Sequence, residues 1–239
     1  MTAEMGNMLE EKYRREILHQ MGISLWQQRR REQDIPAPIP VAESSMPLQN
    51  QADWTQLAQQ VAVCTACDLH RTRKQTVFGV GNQRAAWLFI GEAPGEEEDR
   101  QGEPFVGKAG QLLNAMLFAL GLKREDIYIA NILKCRPPQN RDPLPDEVIQ
   151  CESYLLRQIA LIQPKIMVTL GRIAAQNLLK TTERIGLLRG RRFSFGETHI
   201  PVVATYHPAY LLRSPREKRK TWQDLLFAKK LYLQYTGEQ

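Results

Sequence analysis

The sequence predicts an α/β fold in which a parallel sheet is covered on both faces by helices, and three observations carry that expectation. Short apolar runs recur as AWLFIG at 86–91, IYIANI at 127–132, KIMVTLG at 165–171 and IPVVAT at 200–205, and they read as buried strands. Between them lie GQLLNAMLFALGL and PDEVIQCESYLLRQIALIQP, whose apolar residues fall three and four apart as an amphipathic helix requires. The alternation itself, strand then helix, is the pattern of a parallel sheet built from crossover connections.

Taken in order, residues from about Met8 to Glu32 have helical character, with Leu9, Tyr13, Ile17 and Met21 at i, i+4 spacing and Gly22 as an interruption. Residues 1–34 are thus expected to form a helical appendage. The stretch at 35–51 contains Pro36, Pro38, Pro40 and Pro47 and reads as an extended linker, so the main domain, 52–239, should begin near Ala52. Met21, Ile23, Leu25 and Trp26 stand close together ahead of that linker, suggesting a short peptide that docks on a partner protein. The plainer alternative is a helix packed on the main domain.

At 239 residues and 27.5 kDa, the chain is long enough for one ordinary domain plus an appendage. No apolar run approaches the roughly 18 residues a membrane span needs, and the N-terminus lacks the apolar core of a secretory signal. A cytoplasmic monomer with no membrane partner is expected. The net charge of +6 and a pI near 9.2 lean toward a polyanionic partner. Between Leu187 and Lys220, eight basic residues (Arg189, Arg191, Arg192, Arg213, Arg216, Lys218, Arg219, Lys220) face two acidic ones (Glu197, Glu217), a surplus equal to that of the whole chain. A solvated helix face would account for the C-terminal part of this cluster equally simply.

All four cysteines fall in the main domain, as Cys64-Thr-Ala-Cys67, Cys135 and Cys151. Two intervening residues let both thiolates of a Cys-x-x-Cys turn reach one centre, and two distant cysteines can complete a four-thiolate shell. Disulfides fit a cytoplasmic chain less well. Spacing leaves zinc, a 4Fe-4S cluster and unligated buried thiols as alternatives.

Ligands of open parallel sheets gather at the carboxyl ends of the strands. There the sequence places Gly91 to Gly95, Asn131 and His207. The loop GEAPGEEED is rich in glycine but carries Glu92, Glu96, Glu97, Glu98 and Asp99, so it is a poor cradle for phosphate and matches neither the P-loop nor the dinucleotide fingerprint. Singly, His207 reads as a loop histidine, Phe105 as core packing, Asn131 as a strand-end turn residue, and Glu96 and Glu97 as a solvated face.

Together, GEAPGEEED, GEPFVGKAGQLL, NILKCRPPQNRDP and HPAYLLR, with the four cysteines in order, closely resemble the family 4, iron-sulfur uracil-DNA glycosylases, from about Val63 to Leu233. The resemblance implies a three-layer α/β/α sandwich around a four-stranded parallel sheet, a 4Fe-4S cluster on Cys64, Cys67, Cys135 and Cys151, and hydrolysis of deoxyuridine in DNA to begin base excision repair. It implies further that Phe105 stacks on the flipped uracil and that Asn131 reads its edge at O4 and N3–H. His207 then faces O2, where negative charge develops, Glu92 lies beside the sugar, and Gly91 and Ala93 belong to the substrate-binding set. Glu92 positions water or offsets charge on the sugar, although the best-known glycosylase family places an aspartate where this chain has Ala93. Glu98 closes the pocket near uracil C5, against the methyl group of thymine. Leu211 or a neighbour fills the gap in the duplex, and Arg213, Arg216 and Lys218, with Arg219 and Lys220, hold phosphates, so that binding falls with salt.

The N-terminal MGISLWQQR resembles the N-terminal segment of the psi subunit of the replicative polymerase's clamp loader, which implies a replication or repair protein as partner of residues 1–34. Two other functions compete. One is a uracil-DNA crosslinking protein, whose relatives carry GEQPG and a basic insertion that this chain lacks; the other is a zinc- or cluster-stabilised nucleic-acid scaffold without catalysis.

Overall fold

A computed structural model describes residues 16–18, 20 and 48–237. At its centre is a six-stranded sheet comprising β1 (Val80–Gly81), β2 (Trp87–Gly91), β3 (Tyr128–Asn131), β4 (Ile166–Leu170), β5 (Phe193–Phe195) and β6 (Ile200–Thr205), in the order β1-β3-β2-β4-β6-β5. The four middle strands are parallel. They coincide with the four apolar runs of the sequence. The two edge strands, β1 and β5, pair antiparallel and were not anticipated; at two and three residues they are too short to show any periodicity.

Successive residues of the middle strands face opposite layers. Phe89, Ile129, Val168 and Val203 enter one apolar cluster with Leu113, Met116 and Leu117 of α3 (Lys108–Leu120) and Trp222, Leu225 and Ala228 of α8 (Lys218–Thr236). Leu88, Ile90, Tyr128, Met167 and Val202 enter the other, with Trp54 of α1 (Leu48–Ala62) and Val148, Leu155 and Ile159 of α4 (Pro145–Ile162). Burial on both faces is why the strands read as continuous apolar runs rather than alternating ones. The remaining helices are α2 (Glu96–Gln101), α5 (Arg172–Leu179), α6 (Ile185–Leu188) and α7 (Pro208–Arg213).

One boundary differs from the sequence expectation. Helix α1 already begins at Leu48, inside the stretch expected to be linker. In the expected appendage, Glu16, Ile17, Leu18 and Gln20 are helical, and Ile17 and Leu18 are buried in the cluster that holds Trp87 and Phe89. This part of residues 1–34 therefore packs on the main domain, whereas Met21, Ile23, Leu25 and Trp26 lie outside the described residues. No described helix is long and apolar enough to cross a membrane.

Candidate active site and cysteine centre

The carboxyl ends of β2, β3 and β6 open into a cleft of about 400 Å³ lined by Glu92, Ala93, Glu98, Phe105, Asn131 and His207. That volume falls within the usual range for small-molecule sites. Gly91 and Asn131 are register partners across the β2–β3 pair, so the sheet itself fixes their separation. A side chain at Gly91 would put its Cβ 2.7 Å from the Phe105 ring and against the Asn131 amide oxygen; glycine is required for those two groups to approach.

Asn131 is 2% exposed, and its Oδ1 is buried with no hydrogen-bond partner among the described residues. An orphaned acceptor of this kind costs about 1 to 3 kcal/mol unless a donor reaches it. At the end of a strand and facing a cleft, it is poised to accept from a ligand N–H.

Phe105 has φ of 55°, a left-handed conformation costly for a bulky side chain. Several contacts hold it there. One Glu98 oxygen accepts from the backbone N–H groups of Val106 (2.8 Å) and Gly107 (3.0 Å), and Arg124 donates to the carbonyl of Pro104 at 2.5 Å. Gly110 lies so close beneath the Phe105 carbonyl that any side chain there would overlap it. The Phe105 ring comes to rest with its centroid 5.5 Å from that of His207, at 31°.

His207 caps the N-terminus of α7, where its Nδ1 accepts from the backbone N–H of Ala209 at 3.1 Å. The neutral ring therefore carries its proton on Nε2. Burial, with the positive charge of Arg213 in second place, pushes the imidazole down to about 4, against the opposing pull of Glu98. It is neutral at physiological pH. Gly171, with φ of 96°, lets the loop after β4 pass under this histidine, since a Cβ there would lie 2.9 Å from that of His207.

Glu92 is the other perturbed group. Burial first, then repulsion from Asp142, pushes its carboxyl up to about 7, with Arg172 acting in the opposite direction. Asp142 pairs with Arg172 at 2.7 Å and belongs to a wall that the sequence reading assigned no role. This wall consists of Pro137, Asn140, Arg141 and Asp142, all lining the cleft. It is held by the Arg141–Glu147 pair, with bonds of 2.9 and 2.5 Å. Its motif, PPQNRDP, was visible; nothing in the spacing says that it folds back over the strand ends.

Leu211 is 0% exposed and packed in the core, so it is unavailable to enter a duplex; α7 instead exposes Tyr210 (37%) and Leu212 (44%). Glu98 does line the cleft, but one of its oxygens is committed to the Phe105 loop. Among the acidic run, Glu96 and Glu97 are exposed as expected, whereas Asp99 is buried and accepts from the backbone N–H of Lys74 at 2.9 Å. Arg213 reaches the cleft and Arg216 and Arg219 are exposed, with Lys218 half-buried. The rest of the basic surplus is partly spent inside the molecule: Arg189 pairs with buried Asp224, Arg191 with Glu183 and Lys220 with Glu217.

Cys64, Cys67, Cys135 and Cys151 line one small hollow together with Arg73, Lys134 and Tyr154. None of the four forms a disulfide. Cys64 and Cys67 follow α1, Cys135 follows β3, and Cys151 lies on α4, as the sequence suggested. Arg73 donates to Cys135 Sγ at 3.0 Å and the backbone N–H of Lys134 to Cys151 Sγ at 3.2 Å. Burial pushes the thiols of Cys67, Cys135 and Cys151 up, the last to about 11. Among the described residues no group of three or more His, Cys, Asp and Glu side chains converges as a metal-ion site. Four thiols on a shared wall, with a guanidinium and an N–H directed at two of the sulfurs, are nonetheless a donor set suited to a thiolate-bound cluster.

The family described as the uracil DNA glycosylase superfamily matches residues 78–226. The type-4 uracil-DNA glycosylase of Archaeoglobus fulgidus is 45% identical over 174 residues, spanning 70% of this chain and 87% of that protein. The type-4 enzyme of Saccharolobus solfataricus is 46% identical over 175 residues (70% and 81%). That of Thermotoga maritima is 45% identical over 161 residues (66% and 82%).

Proposed function

Because the chain belongs to the uracil-DNA glycosylase superfamily, among its type-4 members, we propose that it hydrolyses the N-glycosidic bond of deoxyuridine in DNA, leaving an abasic site. The observation that carries this reading is the buried Asn131 Oδ1, without a hydrogen-bond partner among the described residues, in a cleft that Phe105 and His207 also line. Uracil, once out of the stack, offers N3–H to that oxygen and O4 to the amide N–H. Cytosine offers an acceptor at N3 and a donor at C4, so its polar atoms and those of Asn131 would be left unpaired, a mismatch that sites of this kind reject strongly.

Phe105 supplies the stacking face, worth about 1 to 3 kcal/mol per base. As the bond to the sugar breaks, charge accumulates on the departing ring, and the Nε2–H of neutral His207 donates to O2. Glu92 is the group beside the sugar; as a carboxylate it orients water or offsets positive charge on the deoxyribose. We assign phosphate contacts to Arg213 and Arg216 at the rim.

Cys64, Cys67, Cys135 and Cys151 would hold a 4Fe-4S cluster. This assignment is supported by their shared hollow, by the donors from Arg73 and Lys134, and by the likeness of the cysteine pattern to the iron-sulfur glycosylases. When bound, the group supplies a crosslink between α1, the end of β3 and α4, and it takes no part in the bond cleavage. Free thiols fit a reducing, cytoplasmic setting.

The reading is tested by incubating the purified protein with a single-stranded oligonucleotide carrying one deoxyuridine, then treating with alkali. Strand cleavage at that position is expected. An intact strand would refute the assignment, and a stable protein-DNA adduct would move it to the capture chemistry of the crosslinking relatives.

Glu98 admits two roles with opposite consequences. If it only shields uracil C5, Glu98→Ala should gain activity on thymine with little loss on uracil. Since its carboxylate oxygen accepts two N–H groups that hold the strained Phe105 loop, we expect Glu98→Ala to lose roughly tenfold or more in kcat/KM on uracil, in line with the loss of two charge-assisted hydrogen bonds. Glu98→Gln, which keeps an acceptor oxygen, should recover most of it. Thymine excision by the alanine variant without loss on uracil would reverse this assignment.

A further inference from the structure

Lys134 stands three residues after Asn131 and takes no part in the chemistry above. It is 1% exposed, and among the described residues no carboxylate pairs with its ammonium group. Burying an unpaired charge is costly, and only hydrogen bonds to the charged form offset the cost. Lys134 Nζ has two such bonds, to the main-chain oxygen of Asn131 at 2.9 Å and to Oε1 of Gln158 on α4 at 2.6 Å. Gln158 in turn donates to the carbonyl of Phe78 at 2.9 Å and lies 3.4 Å from the Tyr128 hydroxyl. The backbone N–H of the same lysine donates to Cys151 Sγ at 3.2 Å. One residue thus touches the carbonyl of the base-reading asparagine, the helix that carries the fourth cysteine, and the sulfur of that cysteine.

We propose that Lys134 is a positioning residue that locks the end of β3, and with it the Asn131 amide, against α4, coupling the reading of the base to the cysteine centre. This rests on the glycosylase reading given above. Among the described residues Asn131 Oδ1 has no hydrogen-bond partner, so its aim depends on how firmly its backbone is held. Its carbonyl receives the Lys134 ammonium, and Lys134 is held in turn by α4. Lys134 also lines the cysteine hollow, with Cys151 as its electrostatic neighbour, so its positive charge favours the more negative, reduced form of a cluster held there.

The test is Lys134→Met in the full-length, iron-loaded protein, which keeps the apolar bulk and removes the ammonium. Inhibition by free uracil and KM on a deoxyuridine oligonucleotide should each weaken by roughly tenfold, the effect of losing one hydrogen bond to a charged group, with a smaller change in kcat. The reduction potential of the centre should move to more negative values. A variant that merely melts earlier, with uracil inhibition and potential unchanged below its melting temperature, overturns the proposal. Should Lys134→Met fail to accumulate, Gln158→Leu serves instead: it removes one of the two acceptors and leaves Asn131 and Cys151 in place. Weaker uracil inhibition is expected there too, and unchanged inhibition counts against the proposal just as firmly. Wild-type protein that leaves deoxyuridine intact would sink the glycosylase reading; wild-type protein that cleaves it but binds no iron would sink the coupling alone.

Discussion

His207→Ala is expected to lower kcat on deoxyuridine DNA by roughly 10² to 10³-fold, the usual loss when one preorganised donor to a developing anion is removed. The size follows from where the imidazole sits. It is neutral, because burial and Arg213 hold its pKa near 4, and its proton is placed on Nε2 by the bond from Ala209 to Nδ1. No reorganisation is needed when charge reaches uracil O2. Since that charge exists only near the transition state, the loss should fall on kcat and leave KM almost unchanged. Single-turnover rates on a deoxyuridine oligonucleotide measure it. A variant within fivefold of wild type would mean that the leaving ring is stabilised by some other group.

The second large effect is on pH. With the Glu92 carboxyl pushed up to about 7 by burial and by Asp142, a role that needs the carboxylate predicts kcat/KM rising about tenfold per pH unit below 7 and flat above it. Activity at pH 5 should be down by about a hundredfold. His207 adds no inflection in this range, as it loses its proton near 4. Glu92→Gln should lose most of the activity and, with it, the slope. Linkage gives an independent readout. The folded state holds the Glu92 proton more tightly than the unfolded one does, so between the unfolded pKa near 4.5 and about 7 stability falls as pH rises. Glu92→Gln should therefore melt higher than wild type at pH 8 and equally at pH 4. A flat wild-type profile between pH 5 and 8 would remove Glu92 from the water or sugar role.

The middle of the fold was legible in the sequence for one reason: strands covered on both faces need apolar residues at nearly every position, and the four runs from Trp87, Tyr128, Ile166 and Ile200 are mostly apolar. Edge strands of two or three residues carry no comparable signal. In the site, Glu92, Phe105, Asn131 and His207 were found through short motifs at strand ends, and the structure brings all four into one cleft. Leu211 was misplaced because α7 is six residues long, too short for its apolar residues to declare which face is inward. Lys134 was passed over since a lysine reads as solvent-exposed, and the basic surplus was overcounted because pairs such as Arg189 with Asp224 are closed by residues far apart in the chain.

The seating of Ile17 and Leu18 in the same cluster as Trp87, Phe89 and Leu231 bears on how this protein can be divided. A fragment trimmed to the family match, 78–226, omits those two side chains, Trp54, Leu231 and the first cysteine pair. Its cut surfaces would be greasy rather than polar. A piece that keeps this part of the interior covered therefore has to carry Ile17 and Leu18 along with the sheet.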